Sequence, residues 1–207
     1  MIVVRDIEQG TDEWFALRSG VVSASNFHKI ITPTGKASTQ ARDYMFQLIG
    51  QRVYQVCDKG YKSENMQNGN DREPRARALF EFIHEIDVEQ VAFVFKDESK
   101  KVGCSPDGLI DGSGLEIKSP LLKTHIEYSL SDTMPTKYYC QVQGSMWICE
   151  TDHWYFMSYY PSTKEHIVCV ERDDSFIKSL ETKIAKFVCQ LDELTEIYKE
   201  KIKWISA

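Results

Sequence analysis

Asp107, Glu116 and Lys118 are the side chains of this sequence whose types and spacing could do chemistry together. They lie in residues 103–120, GCSPDGLIDGSGLEIKSP, which reads as two short strands joined by a Gly-rich turn. The first strand is predicted to end in Asp107, and the second carries Glu116 and Lys118. Residues two apart in an extended strand share a face. Glu116 and Lys118 therefore point together, Leu115, Ile117 and Ser119 point away, and Asp107 is brought in from the neighbouring strand. Two acids and a lysine on one face are poorly explained by packing but suit a divalent cation and a water. Carboxylates holding one or two Mg²⁺ would neutralise phosphate oxygens and acidify that water. A lysine beside them could orient or deprotonate it, its own pKa being lowered by neighbouring metal charge. The pattern PD–x8–E–x–K thus points to a metal-dependent phosphodiesterase site. A turn-rich hairpin with incidental charges stays open at this point, because so short a pattern recurs by chance. A calcium loop starting at Asp107 fails on its ligands, since its third position is Leu109 and its twelfth Lys118.

Three further groups could contribute. Glu73 opens a predicted helix and could deliver another carboxylate, or could simply be an acid favoured by the helix dipole. Arg18, Ser23 and Ser25, in LRSGVVSAS, combine a guanidinium with hydroxyls and helix N-terminal amides, as a phosphate pocket would. Ordinary capping by the serines explains the same residues. Gln141 and Gln143 lie on a predicted helix where Gln141 and Ser145 share a face. One glutamine could hydrogen-bond a nucleotide or the lysine, or both could flank a packed helix. The five histidines show no metal-ligand spacing.

These residues need a scaffold, and the pattern supplies a mixed one. Short helices are expected over 11–19 and within SASNFHKII, and a longer one over 39–54. Residues 58–70 are polar and aperiodic and read as a loop with Met66 as its only large aliphatic residue. Residues 71–85 form a helix with Pro74 tolerated in its first turn and Ala78, Leu79, Phe82 and Ile83 as its buried stripe. Residues 88–97 alternate as a strand, and the two strands of 103–120 follow. A short helix in KTHIEYSLSD precedes a helix with Pro135 at its first position, then come a strand pair and a long amphipathic helix from Asp174 to Trp204 packing along the sheet. The fold class is α/β, a central mixed β-sheet flanked by helices, in a single domain spanning 1–207.

Composition sets the outer bounds. No apolar run approaches the ~20 residues that span a bilayer, and the N-terminus lacks a secretory signal pattern. Six cysteines without paired spacing read as reduced thiols of a cytoplasmic protein. The net charge of −6 argues against an indiscriminate nucleic-acid coat protein. Residues 1–80 carry 11 Lys/Arg against 9 Asp/Glu and the remainder 14 against 22. A DNA-binding surface would come from the first part.

Five landmarks in order give a resemblance: EQGTDEWFALRSGVVSAS, GNDREPRARALFEF, CSPDGLIDGSGLEIKSP, QVQGSMW, and WYFMSYYP with VERDD. Together they resemble the YqaJ-type viral recombinases, the family of phage lambda exonuclease and a branch of the PD-(D/E)xK nuclease superfamily, over nearly the whole chain. The resemblance implies a restriction-endonuclease-like nuclease fold and a processive, Mg²⁺-dependent 5′→3′ exonuclease of linear double-stranded DNA, with Mn²⁺ as a substitute. It implies Asp107, Glu116 and the main-chain carbonyl of Ile117 as metal ligands, Lys118 as the residue acting on the attacking water, and Glu73 as a helix acid near the metal. Arg18, Ser25 and Ser105 match the family's 5′-phosphate pocket, Gln141 the glutamine of its QxxY motif, and Met66 the apolar wedge that splits the terminal base pair. The tyrosine of that motif is Gly144 here. A ring-shaped homotrimer, a phage-type single-strand annealing partner, and a phage or prophage protein acting in the bacterial cytoplasm are also implied. Two rivals stand beside it: a restriction or junction-resolving endonuclease of the same superfamily, and a catalytically dead DNA-end binding protein.

Overall fold

The computed structural model of the chain describes residues 1–56 and 64–203, and for 64–70 the backbone alone. Its elements, in order, are β1 (Ile2–Val4), α1 (Asp12–Arg18), β2 (Val22–Ser23), a 3₁₀ turn (Ala24–Lys29), α2 (Ala41–Tyr54) and α3 (Glu64–His84). Strands β3 (Phe93–Phe95), β4 (Val102–Cys104), β5 (Gly108–Ile110) and β6 (Ser113–Lys118) follow. Then come α4 (Leu122–Ser129), a second 3₁₀ turn (Thr136–Tyr138), α5 (Tyr139–Cys149), β7 (His153–Ser158), β8 (His166–Glu171) and α6 (Asp174–Lys203).

The α/β class holds, but the strands divide into two mixed sheets, ordered β1-β3-β4-β2 and β5-β6-β7-β8. Each sheet contains one parallel pair, β2 with β4 and β6 with β7. The β6–β7 pair sets Glu116 opposite Phe156 and Lys118 opposite Ser158. Strand β6 is buried along nearly its whole length. Leu115 and Ile117 pack with Ala76 and Phe80 of α3 and Met157 of β7, as strand alternation predicts.

The larger core gathers the first 3₁₀ turn, α2, α5 and α6. Helix α5 is its axis and is covered almost all round, with Cys140, Val142, Met146 and Ile148 fully buried. A helix this enclosed shows little amphipathic pattern. At Gly144 the helix packs tightly on the 3₁₀ turn, and a Cβ there would collide with the ring of Phe27.

Several expectations are corrected. Strands β1 and β2, too short to leave a periodic signal, add to the predicted set, and residues 102–118 form three strands, β4, β5 and β6, where two were expected. The loop expected over 58–70 gives way to helix from Glu64, so Pro74 sits inside α3 and leaves the carbonyl four residues earlier without an intrahelical donor. Residues 58–63 lie outside the described residues, as do Cys57 and the side chain of Met66. The buried face of α3 is Ala76, Arg77 and Phe80, while Phe82 is 82% exposed. Counting apolar residues misplaced that face because it contains a buried arginine. Asp107 lies between β4 and β5 rather than at a strand end. Helix α6 packs on α2 and α5 and not along a sheet, with Phe187 stacked on Tyr44 at 5.7 Å.

Candidate active site

Strand β6 presents Glu116 toward α5, and there the side chain is 1% exposed. Its Oε1 accepts a hydrogen bond from Gln141 Nε2 at 2.6 Å and pairs with Lys118 Nζ. Its Oε2 is buried with no partner among the described residues. A buried carboxylate oxygen left without a donor is costly, so this atom has a lone pair to offer a bound cation. Asp107 is held against strand β6: its Oδ2 accepts from Ile117 N at 2.6 Å, and its own N–H donates to Leu115 O at 3.1 Å. Glu73, on α3, is paired with Arg77 at 2.6 Å.

Burial and mutual repulsion make these carboxylates reluctant anions. Burial pushes Glu116 up to about 7, with Asp107 adding to the rise and Lys118 opposing it. Glu73 also stands at about 7, raised by burial and by Asp107 and held back by Arg77. Asp107 is raised by burial against the pull of Lys118 and the Ile117 amide. Burial alone would lower Lys118, but Glu116 and Asp107 overcome it and hold the ammonium above its usual value. The two carboxylates thus hold the lysine in its charged form.

A cavity of about 520 Å³ joins these groups. Arg18, Ser25, Ser105, Glu73, Asp107, Glu116, Ile117, Lys118 and Gln141 all line it. Of the sequence-predicted site residues with described side chains, these nine are thus brought together, while Ser23 and Gln143 are not. At one end the Arg18 guanidinium lies 4.0 Å over the Trp14 ring, an i,i+4 pair on α1. Arg18 Nε and Ser105 Oγ are both buried without a partner among the described residues. Burial lowers Arg18 to about 10, a cation in search of an anion. Ser23 turns away, its hydroxyl shared with Ser25 at 3.1 Å and Asn26 at 3.1 Å, and does not line the cavity.

The two glutamines separate by role. Gln141 reaches Glu116 rather than the lysine, while Gln143 is structural, bonded to Glu171 O and to the Asp173 amide at 2.8 and 2.9 Å. Sequence reading missed Gln9, Trp14, Ser119 and Tyr138, all of which line the cavity. Ser119 was expected to face away, but β6 ends at Lys118 and the alternation ends with it. Tyr138 could have been found three residues before Gln141 on the same helical face, and its ring lies 5.4 Å from Lys118 Nζ.

The residues present fit a divalent cation. Burial and Asp107 raise the pKa of Glu116, whose Oε2 is unpartnered among the described residues, a set that bound positive charge would relieve. Among the described residues no three His, Cys, Asp or Glu side chains converge as a complete metal site, so such an ion would need main-chain, water or substrate oxygens besides Asp107 and Glu116.

Solved structures share this architecture. An alkaline exonuclease from Laribacter hongkongensis, LHK-Exo, superposes with a TM-score of 0.84 at 32% identity, covering 94% of this chain and 100% of that one. Its complex with dAMP matches with the same TM-score at 31% identity and the same coverage. A phage related exonuclease from Haemophilus somnus 129PT shares the fold, with a TM-score of 0.66 at 15% identity over 86% of this chain and 96% of that one. In sequence, the ExoD protein of Escherichia coli (strain K12) is 36% identical over 70 residues, which cover 32% of this chain and 80% of ExoD. The fold is that of the PD-(D/E)xK-like alkaline exonucleases. Residues 13–153 match the YqaJ-like viral recombinase domain, and the chain belongs to that family.

Proposed function

We propose that this protein is an Mg²⁺-dependent 5′→3′ exonuclease of linear double-stranded DNA that prefers 5′-phosphorylated ends, releases 5′-mononucleotides and leaves a 3′ single strand for recombination by annealing. One observation carries the reading: buried, unpartnered Arg18 Nε and Ser105 Oγ share one cavity with Asp107, Glu116 and Lys118. An anion pocket beside a hydrolytic group suits a strand end, where a terminal phosphate can be seated while the next phosphodiester is cut.

When bound, a divalent cation would neutralise phosphate oxygens and acidify a water; Asp107, Glu116 and the Ile117 carbonyl would hold it. Gln141 fixes one oxygen of Glu116 and leaves the other free. Lys118, anchored on Glu116, orients the attacking water. Arg18, Ser25 and Ser105 receive the terminal phosphate through charge-assisted and hydroxyl hydrogen bonds. Glu73, held by Arg77, is the third acid of the group. Met66 is proposed as the wedge at the duplex end. A deoxynucleoside monophosphate such as the dAMP bound by LHK-Exo is the product class this reading assigns.

Family membership also supports a homotrimeric ring, processive action, a phage-type annealing partner and a place in the bacterial cytoplasm. A net charge of −6 accords with a ring whose positive potential is confined to its channel. The test is end chemistry. Wild type should digest 5′-phosphorylated duplex faster than the 5′-hydroxyl form, and Arg18→Ala should shrink that ratio by about 10- to 100-fold, the worth of a hydrogen bond to a charged group. An unaltered ratio would remove Arg18 from the pocket.

A further inference from the structure

The segment that carries Asp107 lies between strands, yet its main chain is held on both sides. Gln9 Nε2 donates to Pro106 O at 3.0 Å and to Val91 O at 2.8 Å. Arg77 Nε donates to Asp107 O at 2.9 Å, while its Nη2 meets Glu73 Oε1 at 2.6 Å. The peptide carbonyls immediately before and after the Asp107 Cα are therefore each taken by a side chain from a distant element. One comes from the segment between β1 and α1, the other from α3. Arg77 is only 8% exposed, and a planar fork that bridges a carbonyl and a carboxylate at once cannot be copied by an ammonium.

We infer that Gln9 and Arg77 are positioning residues that fix the Asp107 turn from both sides and thereby set the affinity of the site for a divalent cation. The inference rests on the proposed role of Asp107 as a metal ligand. Side chains that orient a ligand from behind typically matter by about 10- to 100-fold in metal affinity or activity. The strap on the Gln9 side has a further consequence. Gly10, at φ +86°, turns the chain directly into Thr11, whose hydroxyl accepts from Trp14 N as the N-cap of α1. That helix carries Arg18. The segment holding the metal turn is thus continuous with the one holding the phosphate pocket, and Gln9 ties the two ends of the cavity to one frame.

The experiment titrates the full chain with Mn²⁺ alone, by calorimetry, and follows cleavage of linear duplex against Mn²⁺ concentration. Gln9→Met removes both N–H donors at similar volume. Its Mn²⁺ affinity should fall about tenfold or more, with cleavage recovering as Mn²⁺ is raised, a concentration shift that a general loss of folded protein would not produce. Arg77→Lys keeps a cation beside Glu73 but loses the fork, and should weaken Mn²⁺ binding in the same direction; it carries the test should Gln9→Met not fold. Wild-type Mn²⁺ affinity in both variants would overturn the grip while leaving the metal reading intact. A wild-type protein that neither binds Mn²⁺ nor cuts DNA would overturn the metal reading, and the grip with it.

Discussion

Glu116 has one oxygen held by Gln141 and Lys118 and one with no donor among the described residues. Gln141→Ala removes one of the two groups on the held oxygen and loosens the carboxylate, so turnover at saturating Mg²⁺ should fall about 10- to 100-fold with the fold intact by circular dichroism. Unchanged turnover would make Gln141 a packing residue. Gly144 poses the opposite case. The family's motif tyrosine is absent here, and there is no room for it, since even a Cβ would meet Phe27. Gly144→Ala should cost about 1–3 kcal/mol of stability through overpacking, read as a lowered denaturation midpoint. A neutral result would show that the 3₁₀ turn yields. The shared face of Glu116 and Lys118 was legible from strand alternation, because β6 is a regular strand, whereas Asp107 lies outside any strand and was legible only from its place in the PD–x8–E–x–K pattern. Gln9 was not. Its link to the site runs through an irregular segment, where no simple period tells which way a side chain points.

Among the elements, α6 shows how a long helix is pinned at its start. Asp173 accepts from Phe176 N at 2.9 Å, from Ser175 Oγ at 2.7 Å and from Tyr139 Oη at 2.6 Å. The Tyr139 hydroxyl foremost, with Ser175 and the Phe176 amide, holds its carboxyl down to about 2. A depressed carboxylate contributes stability that is complete above its unfolded value, ~3.9, and is lost as pH falls from there through about 2. Asp173→Ala should cost about 1 kcal/mol at neutral pH, or about 2–4 °C in melting temperature, and the gap to wild type should close as pH drops through that window. A gap independent of pH would place the effect in packing rather than charge. The periodicity of α6 was readable, but its neighbours were not: an apolar stripe states how much is buried, not against what. Helix α3 shows the limit more sharply. Its buried face includes Arg77, which pattern reading excludes from any core, so the stripe was assigned to Phe82 and Ile83 on the wrong side.

At the scale of the molecule, the two mixed sheets and α5 converge on one cavity, and the proposed phosphate pocket and metal site occupy its two sides. The order of the helices and most strands was legible from the sequence. The division into two sheets was not, because β1 and β2 have three and two residues and their pairing is a long-range matter. The ring proposal makes a plain demand: light scattering should give three times the 23.9 kDa chain mass, and the mass of a single chain would contradict it. The central claim, that this site acts only from an end, is tested most directly by offering wild-type protein, in Mg²⁺, the same duplex as a 5′-phosphorylated linear molecule and as a covalently closed circle. The account predicts that the linear form is consumed to mononucleotides while the circle survives. Equal cutting of both would contradict it and make the protein an endonuclease.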